Sequence, residues 1–202
     1  MAAKENPRPG GRSARVQASV HQAVRELLAD MDRVDVTIPL IAAKAGVTPS
    51  TIYRRWGGLQ ELLADVAVER LRPDMVPIDT GSARGDLEVW AEQYAEEMSS
   101  GIGRDMMRDV LAAQDSTNAY RCCGFTRDQI EAISDRATAR GERFPAIDAV
   151  MDRVVAPIIY RILFGDAPSN ERVRDLVSDA MAEQAATPQP SPGQRSPLSG
   201  RG

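Results

Sequence analysis

The sequence is poor in the residues that usually form metal centres. Its 202 residues include one histidine, His21, and two cysteines, Cys122 and Cys123, which are neighbours in the chain. Adjacent cysteines are poorly placed to form a structural disulfide with each other. A single histidine without a Cys-x-x-Cys pair gives too few ligands for a zinc site. We therefore predict no metal, no cofactor and two reduced thiols, with a redox switch as the alternative role of the pair.

Long apolar runs are also absent. No stretch approaches the ~20 apolar residues that span a bilayer, and the polar N-terminus has no apolar signal core, so we expect a cytoplasmic protein. Strand-like alternation, a glycine-rich phosphate loop and internal repeats are missing too, so the predicted fold class is all-α. Catalysis would need a nucleophile with a positioned base, or paired carboxylates in a cleft. His21 beside an apolar stripe provides neither, and we predict a partly exposed histidine in a protein that is not an enzyme.

The charge is distributed unevenly along the chain. Residues 1–56 carry nine Lys/Arg against five Asp/Glu, whereas the whole chain has a net charge of −4, so the remainder carries −8. A basic front joined to an acidic remainder is typical of a nucleic-acid-binding part attached to a regulatory body. A chance fluctuation of surface charge is the alternative interpretation.

The most informative stretch runs from Thr37 to Trp56 and begins with a short helical pattern. Thr37 is a suitable N-cap, and Pro39 stands in the first turn, where its missing N–H costs nothing. Apolar residues then recur with helical spacing up to Ala45. Gly46 follows at the position of a left-handed C-terminal stop. We predict one short helix that ends in a tight glycine turn.

A second short helix is predicted directly after this turn. Thr48 is its N-cap and Pro49 its first helical residue. Ile52 and Trp56 form the inner face. The outward face and its flank are polar and basic: Ser50, Thr51, Tyr53, Arg54 and Arg55. Two short helices about a glycine turn, the second with such a face, indicate a helix-turn-helix.

The stretch resembles the helix-turn-helix signature of the TetR family of one-component transcriptional regulators. The resemblance is carried by the pattern IAxxAGVTxSTIYRRW, which comprises Ile41-Ala42, Ala45-Gly46-Val47, Thr48, Ile52-Tyr53 and Trp56. Where the family usually has a lysine, three residues beyond the aromatic, this sequence has Leu59. The resemblance covers roughly residues 15–71. It implies a three-helix DNA-binding head followed by a helical body that holds a ligand pocket and a four-helix dimer interface.

The predicted DNA contacts follow from the chemistry of the second helix. A Tyr53 phenol can donate to a phosphate, whereas Arg54 can bond guanine O6 and N7 or clamp a phosphate. The Thr48 hydroxyl can bond a phosphate, and Pro49 and Ser50 can reach base edges. The full predicted set is Thr37, Thr48, Pro49, Ser50, Thr51, Tyr53, Arg54 and Arg55. Ordinary surface residues of a helical hairpin are the alternative.

Helical periodicity and loop residues divide the rest of the chain. We predict a disordered basic tail at 1–12, then a DNA-binding domain at 13–58. The alternative role of the tail is a DNA-binding arm formed by Lys4, Arg8, Arg12 and Arg15. A regulatory and dimerisation domain at 59–185 and a disordered tail at 186–202 follow. A short segment at 119–123 precedes a helix at 126–140 for which Thr126 is an acceptable N-cap. The other predicted helices are 13–31, the helix-turn-helix pair, 59–71, 83–99, 103–114, 145–164 and 170–185.

Two functions are predicted for the second half. The most apolar stretch, 145–164, is too apolar for a helix covered on one side. We expect its residues 147–164, including Val154 and Ile158, to form the dimer surface together with the last helix, as the resemblance to the family's four-helix interface implies. Pro157 should kink the apolar stretch or leave a carbonyl unpaired. Met and aromatic side chains suit an adaptable effector pocket, although each is also a plausible core residue. The candidates are Trp90, Tyr94, Met98, Met106, Met107, Leu111, Tyr120 and Phe125.

These observations predict a homodimeric DNA-binding transcriptional regulator, specifically a repressor that a small apolar or aromatic effector releases from a pseudo-palindromic operator. The alternatives are a DNA-binding regulator controlled by a protein partner without a small ligand, and a helical enzyme. The sequence does not distinguish the first alternative from the effector-gated form.

Overall fold

The computed structural model describes residues 11–72 and 75–186, except for the side chains of Arg12 and of residues 183–186. Every regular element in these ranges is helical, as predicted, and no helix among them is long and apolar enough to cross a membrane. The first helix begins at Gly11, two residues earlier than predicted. The predictions for 1–10 and 187–202 lie outside the described residues.

The helices follow the predicted order closely. Their bounds are α1 Gly11–Asp30, a 3-10 turn Arg33–Asp35, α2 Ile38–Ala45, α3 Pro49–Trp56, α4 Leu59–Arg70, α5 Ala83–Ser99, α6 Gly101–Ala112, α7 Thr117–Ala139, α8 Ile147–Val150, a π-helical segment Met151–Val155, α9 Ala156–Phe164 and α10 Asn170–Ala186.

The chain forms two compact units. The first contains the described residues up to Val76 together with Glu96–Gln129, and the second contains Pro77–Ala95 and the described residues from Ile130 onward. The predicted boundary at 58/59 between head and body therefore does not coincide with a boundary between compact units. The α4 helix, α6 and the first half of α7 pack in the same unit as the helix-turn-helix.

The core of the first unit surrounds α4. Seven consecutive residues of this helix, 62 to 68, are buried, because α4 packs against α1, α3 and α6 rather than covering the core with one face. The apolar stripe of α1 contributes Val20, Val24 and Leu27 to the same cluster, and α2 contributes Ile38 and Ile41. The helix-turn-helix is thus fixed to a helix that is enclosed on several sides.

The second unit buries the apolar residues of α5, the second half of α7 and the helices from α8 to α10. Val154 and Ile158, which we expected on a dimer surface, are completely buried within the subunit itself. That expectation is corrected, since helical periodicity cannot distinguish an intramolecular core from an interface. Tyr160, Leu163 and Phe164 are the large apolar side chains of α9 that remain exposed.

The α7 helix corrects another expectation. We predicted a break between 123 and 126, with Thr126 as an N-cap, but one helix runs through Thr117–Ala139. The Thr126 hydroxyl donates back to the Cys122 carbonyl, 3.4 Å away, instead of capping a helix end. A threonine within a helix commonly bonds the fourth carbonyl before it, and Gly124 is tolerated at a modest cost in helix propensity.

The helix irregularity predicted at Pro157 is present as a π-helical turn, which is wider than an α-helical turn. The segment Met151–Val155 is π-helical, and the Ala156 N–H donates to the Met151 carbonyl five residues earlier. Proline lacks an N–H and crowds the preceding turn, so it is tolerated at the start of a helical segment. Here Pro157 is in the first turn of α9.

Candidate nucleic-acid interface

The helix-turn-helix closes through a glycine in the left-handed conformation. Gly46 has φ 67° and ψ 32°. Its N–H donates to Ala43, and the Val47 N–H donates to the Ala42 carbonyl at 3.0 Å, so two otherwise unpaired carbonyls at the end of α2 are satisfied. A side chain with a Cβ would be strained at this φ, so the glycine predicted as a helix stop is required by the backbone.

The α3 helix presents a polar face to solvent. Its only buried residue is Ile52, with no exposed surface, whereas Tyr53 is 53% exposed and Arg54 is exposed. Among the described residues no hydrogen bond or ion pair engages the Arg54 guanidinium or the Tyr53 phenol. Both side chains are therefore available to an external partner such as a phosphate or a base edge.

The two predicted threonine caps stand at the right positions but do not cap through their hydroxyls. Thr37 and Thr48 have the extended backbone of N-cap residues, but neither hydroxyl accepts a hydrogen bond from a backbone N–H of its helix. The Thr48 Oγ1 instead lies 2.9 Å from Ser50 Oγ and 3.0 Å from Thr51 Oγ1. These three predicted contact residues thus form one hydroxyl cluster at the exposed start of α3.

Arg55 differs from Arg54, although both were predicted to contact DNA. Arg55 donates to the Ser13 carbonyl and hydroxyl of α1, at 3.0 and 2.8 Å, and to Gln17 Oε1 at 2.6 Å. Its guanidinium also lies 5.1 Å from the centre of the Trp56 ring, within the range of a cation–π contact. The structure thus engages Arg55 within the protein, as a link between α3 and α1.

A buried carboxylate joins four helices behind this face. Asp65 Oδ2 of α4 is 2.9 Å from His21 Nε2 of α1 and accepts from Trp56 Nε1 of α3 at 2.8 Å. Its Oδ1 accepts from Arg121 of α7 at 2.6 Å, and Gln17 of α1 completes the group at 3.4 Å. We call Asp65 and these four partners the Asp65 network.

The Asp65 network keeps its carboxylate charged. Burial opposes ionisation, but hydrogen bonds from His21, Trp56 and Arg121 outweigh it and hold the pKa of Asp65 well below its usual range. An ionised carboxylate only accepts hydrogen bonds, so the hydrogen between Asp65 and His21 is on His21 Nε2. A buried charge with this many donors is stabilised in one geometry.

Sequence reasoning missed this network. We predicted a partly exposed His21, but it is buried and its ring centre lies 6.1 Å from that of Trp56. A signal was present, since Asp65 interrupts the apolar run LLADVAV and a buried acid requires partners. The partners themselves come from helices far along the chain, and no local rule identifies them.

The predicted effector residues are distributed over both units. In the second unit, buried Trp90 stacks on Tyr94 with ring centres 5.3 Å apart. In the first unit, Met106 packs in a small apolar cluster with Phe125. Met98 and Met107 are also buried, whereas Leu111 and Tyr120 are exposed.

The two cysteines differ in environment. Cys122 is partly buried, and burial together with the neighbouring Cys123 raises the pKa of its thiol, while Cys123 is exposed. A raised pKa lowers the thiolate fraction and hence the reactivity of Cys122. Among the residues that the structure describes, no group of three or more His, Cys, Asp or Glu side chains could hold a metal ion.

Two family models match the chain. The model described as "Bacterial regulatory proteins, tetR family" matches residues 22–66, and that described as "Tetracyclin repressor-like, C-terminal domain" matches residues 77–181. The first match contains the whole helix-turn-helix, and the second extends over about half of the chain.

Similar proteins carry consistent descriptions. The chain is 28% identical over 179 residues to the uncharacterized HTH-type transcriptional regulator YdeS of Bacillus subtilis, covering 84% of this chain and 89% of that protein. It is 30% identical over 105 residues to the HTH-type transcriptional regulator AqdR of Rhodococcus erythropolis, about half of each chain. Among solved structures, the TetR family transcription regulator SCO0332 gives a TM-score of 0.63 at 24% identity, over 83% of this chain and 97% of that one. A TetR transcriptional regulator from Rhodococcus sp. RHA1 gives 0.58 at 16% identity, over 88% and 99%.

Proposed function

The chain belongs to the TetR family of DNA-binding transcriptional regulators, and from this premise we propose that it is a homodimeric, cytoplasmic repressor whose α3 helix recognises a pseudo-palindromic operator. A single helix-turn-helix makes too few contacts for specific binding, so two copies on adjacent half-sites are needed. The description of the relatives as HTH-type transcriptional regulators supports the DNA-binding regulator predicted from the sequence.

The observation that carries the proposed operator contacts is the difference between Arg54 and Arg55. Arg54 points its unengaged charge outward from α3, while Arg55 is held by Ser13 and Gln17. We infer that Tyr53 and Arg54 contact the operator directly and that Arg55 orients α3. The hydroxyl cluster of Thr48, Ser50 and Thr51 is proposed to contact the phosphates and base edges at the start of the helix.

Replacement of Arg54 by alanine tests this assignment. If Arg54 reads a base, Arg54→Ala should cost roughly 1–3 kcal/mol of operator binding and relax preference at one position per half-site. If it clamps a phosphate, binding should weaken for every sequence, and the slope of log affinity against log salt should flatten by about 1. The measurement is a salt titration of binding to operator and to unrelated DNA.

A matched variant controls for the loss of one positive charge. Arg108 of α6 is exposed and pairs with Asp105 of the same helix, away from α3 in the chain. Arg108→Ala should leave both the affinity and the salt slope unchanged. If Arg54→Ala behaves like Arg108→Ala, Arg54 is not part of the operator site.

The proposed control is by a small apolar or aromatic effector. Trp90, Tyr94, Met98, Met106, Met107 and Phe125 remain the candidates, because their side chains are buried or half-buried. We do not include Leu111 and Tyr120, whose side chains are exposed. Met and aromatic side chains adapt to ligands of different shape, which supports an apolar ligand.

Thermodynamic linkage separates this proposal from control by a protein partner. An effector that releases the operator must bind the DNA-free arrangement more tightly, and a coupling of ~1–3 kcal/mol changes affinity about 5–150-fold. Operator DNA must then weaken effector binding by the same factor. A ligand of the protein that binds equally well with and without operator would favour the partner-controlled alternative.

A further inference from the structure

The α3 helix is short and has few fully buried contacts. It is eight residues long and lies between Gly46, in the preceding turn, and Gly57, both with positive φ. Ile52 is its only buried residue, and Trp56, one turn later and partly buried, packs against the same core. These two side chains hold one face of the helix on the core. Directional hydrogen bonds at its C-terminal end are the additional constraints that the structure supplies.

Those constraints converge on one residue. Trp56, at the end of α3, donates its indole N–H to Asp65, and Arg55 donates to Gln17, whose amide also contacts Asp65. These two side chains are thus tied to the same carboxylate, Trp56 directly and Arg55 through Gln17 of α1. The Asp65 carboxylate is common to both attachments of α3.

The carboxylate is itself positioned from α7. Arg121 donates to Asp65 Oδ1 at 2.6 Å, to Asn118 at 2.9 Å and to Glu69 at 3.3 Å, so its guanidinium is fixed on three sides. The side chain of Asp65 is 12% exposed and that of Arg121 is 36% exposed. The carboxylate is thus largely shielded from water, whereas the guanidinium is partly exposed, and a charge-assisted hydrogen bond to such a carboxylate depends on geometry.

We propose that Asp65, held in place by Arg121 of α7, is a positioning residue for operator recognition and sets the orientation of α3 through Trp56 and Arg55. Among the described residues, Arg121 makes no hydrogen bond or ion pair with α3 or with the proposed DNA-contacting side chains; its polar partners are Asp65, Asn118 and Glu69. Its effect on operator binding passes through the carboxylate of Asp65. The inference rests on recognition of DNA by α3.

Spectroscopy without DNA tests the first step. Trp56→Phe assigns the indole N–H resonance of Trp56, which is distinguished in this way from that of Trp90. Arg121→Gln should shift the Trp56 indole resonance, although no hydrogen bond joins Arg121 to Trp56, because the carboxylate that accepts the indole N–H loses its hydrogen bond from Arg121. Arg33→Gln is the matched control, since Arg33 pairs with buried Asp109 of α6 in the same unit and does not belong to the Asp65 network. An unmoved resonance in Arg121→Gln, or an equal shift in Arg33→Gln, overturns the proposal.

Binding by a double-mutant cycle tests the second step. The probe is the tightest duplex that the wild-type protein selects from random DNA, and a scrambled duplex of equal length measures non-specific binding. Trp56→Phe and Arg121→Gln should each weaken specific binding about tenfold with little change in non-specific binding, and the double variant should lose about tenfold rather than a hundredfold. Arg33→Gln should leave the ratio of specific to non-specific affinity unchanged.

Two binding results contradict the proposal. The first is a double variant whose loss is the product of the single losses, which means that the two residues act independently. The second is an Arg121→Gln variant with the wild-type ratio of specific to non-specific affinity.

Arg54→Ala is measured on the same duplex. This comparison distinguishes a failure of DNA recognition by α3 from a failure of the Asp65 network. All variants are compared under conditions in which circular dichroism shows the same folded fraction. A loss of DNA affinity is then not caused by unfolding of the protein.

Discussion

A glycine in α6 illustrates how closely two helices approach in the first unit. Gly103 is buried, and its N–H donates to the Ser100 hydroxyl that caps α6. A Cβ at this position would overlap the Glu97 carbonyl oxygen and approach the Met98 backbone. Backbone atoms cannot move aside as a flexible side chain can, so the absence of a Cβ is a packing requirement here.

Gly103→Ala should therefore lower the free energy of unfolding by about 1–3 kcal/mol, the usual cost of overpacking. Gly124→Ala is the control, since a Cβ there meets nothing within 4 Å and the position is inside α7. That change should stabilise the protein by about 0.5–1 kcal/mol through helix propensity. Urea unfolding of the two variants measures both values, and a neutral Gly103→Ala would contradict the packing described.

Asp86 performs a structural role in the second unit. It is fully buried and accepts from the Thr80 N–H and hydroxyl, each at 2.7 Å, and from Arg140 at 2.8 Å. Burial opposes ionisation, but the bonds from Arg140 and Thr80 prevail and lower the pKa of Asp86 to about 2. The charged form is therefore preferred by the folded state.

The sign of the acid dependence follows from this lowered pKa. The unfolded chain binds the proton first, near its ordinary value of 3.8, so the contribution of Asp86 is complete above about pH 4 and is lost as the pH falls through about 2. Asp86→Asn should cost about 2 kcal/mol of unfolding free energy at neutral pH and reduce its dependence on pH between 4 and 2. Exposed Asp152→Asn is the control. Equal acid dependence in wild type and Asp86→Asn would contradict this role.

Among the helices, those of the helix-turn-helix were predicted well from capping preferences and apolar periodicity. Gly46, Pro49 and Ile52 occupy the positions that backbone preference and periodicity assigned to them. Each of these assignments depends on neighbours within a few residues. Such information is present in the sequence itself.

Elements determined by tertiary contacts were predicted less well. Thr126 offers a cap by local rules, yet its hydroxyl bonds a helical carbonyl and α7 continues through it. Asp65 and Arg121 are 56 residues apart, and their contact depends on how α4 and α7 pack. The apolar arc of α9 was identified, but its division into core and exposed face required the fold.

The exposed aromatic side chains of α9 support the proposal that the protein forms a dimer. Phe164 is 76% exposed and its ring centre lies 5.1 Å from that of Tyr160, which is also exposed. Large apolar side chains left in water within one subunit are typical of an interface with another protein. We infer that these two rings belong to the surface that joins two copies of the chain.

The double variant Tyr160→Glu/Phe164→Glu should weaken the dimer by about a hundredfold or more, since aromatic anchors dominate interface energies and buried charges are costly. Sedimentation at micromolar concentration measures this change. Ile102→Glu replaces another exposed apolar residue, on α6, and should leave the dimer intact. Ile158→Glu, in contrast, should unfold the subunit because Ile158 is fully buried. A monomeric wild-type protein would contradict the dimer proposal.

Recognition of an operator through α3 is tested by selecting bound duplexes from random DNA with wild type and Arg54→Ala in parallel. We expect an inverted repeat whose half-site centres lie about one helical turn apart, ~34–36 Å, because paired α3 helices enter successive major grooves. In Arg54→Ala, preference should relax at one position of each half-site, or affinity should fall for all sequences if the contact is to phosphate. Wild-type protein that selects no consensus at low salt, or a variant that selects the same site with unchanged affinity, would contradict recognition of an operator through this face of α3.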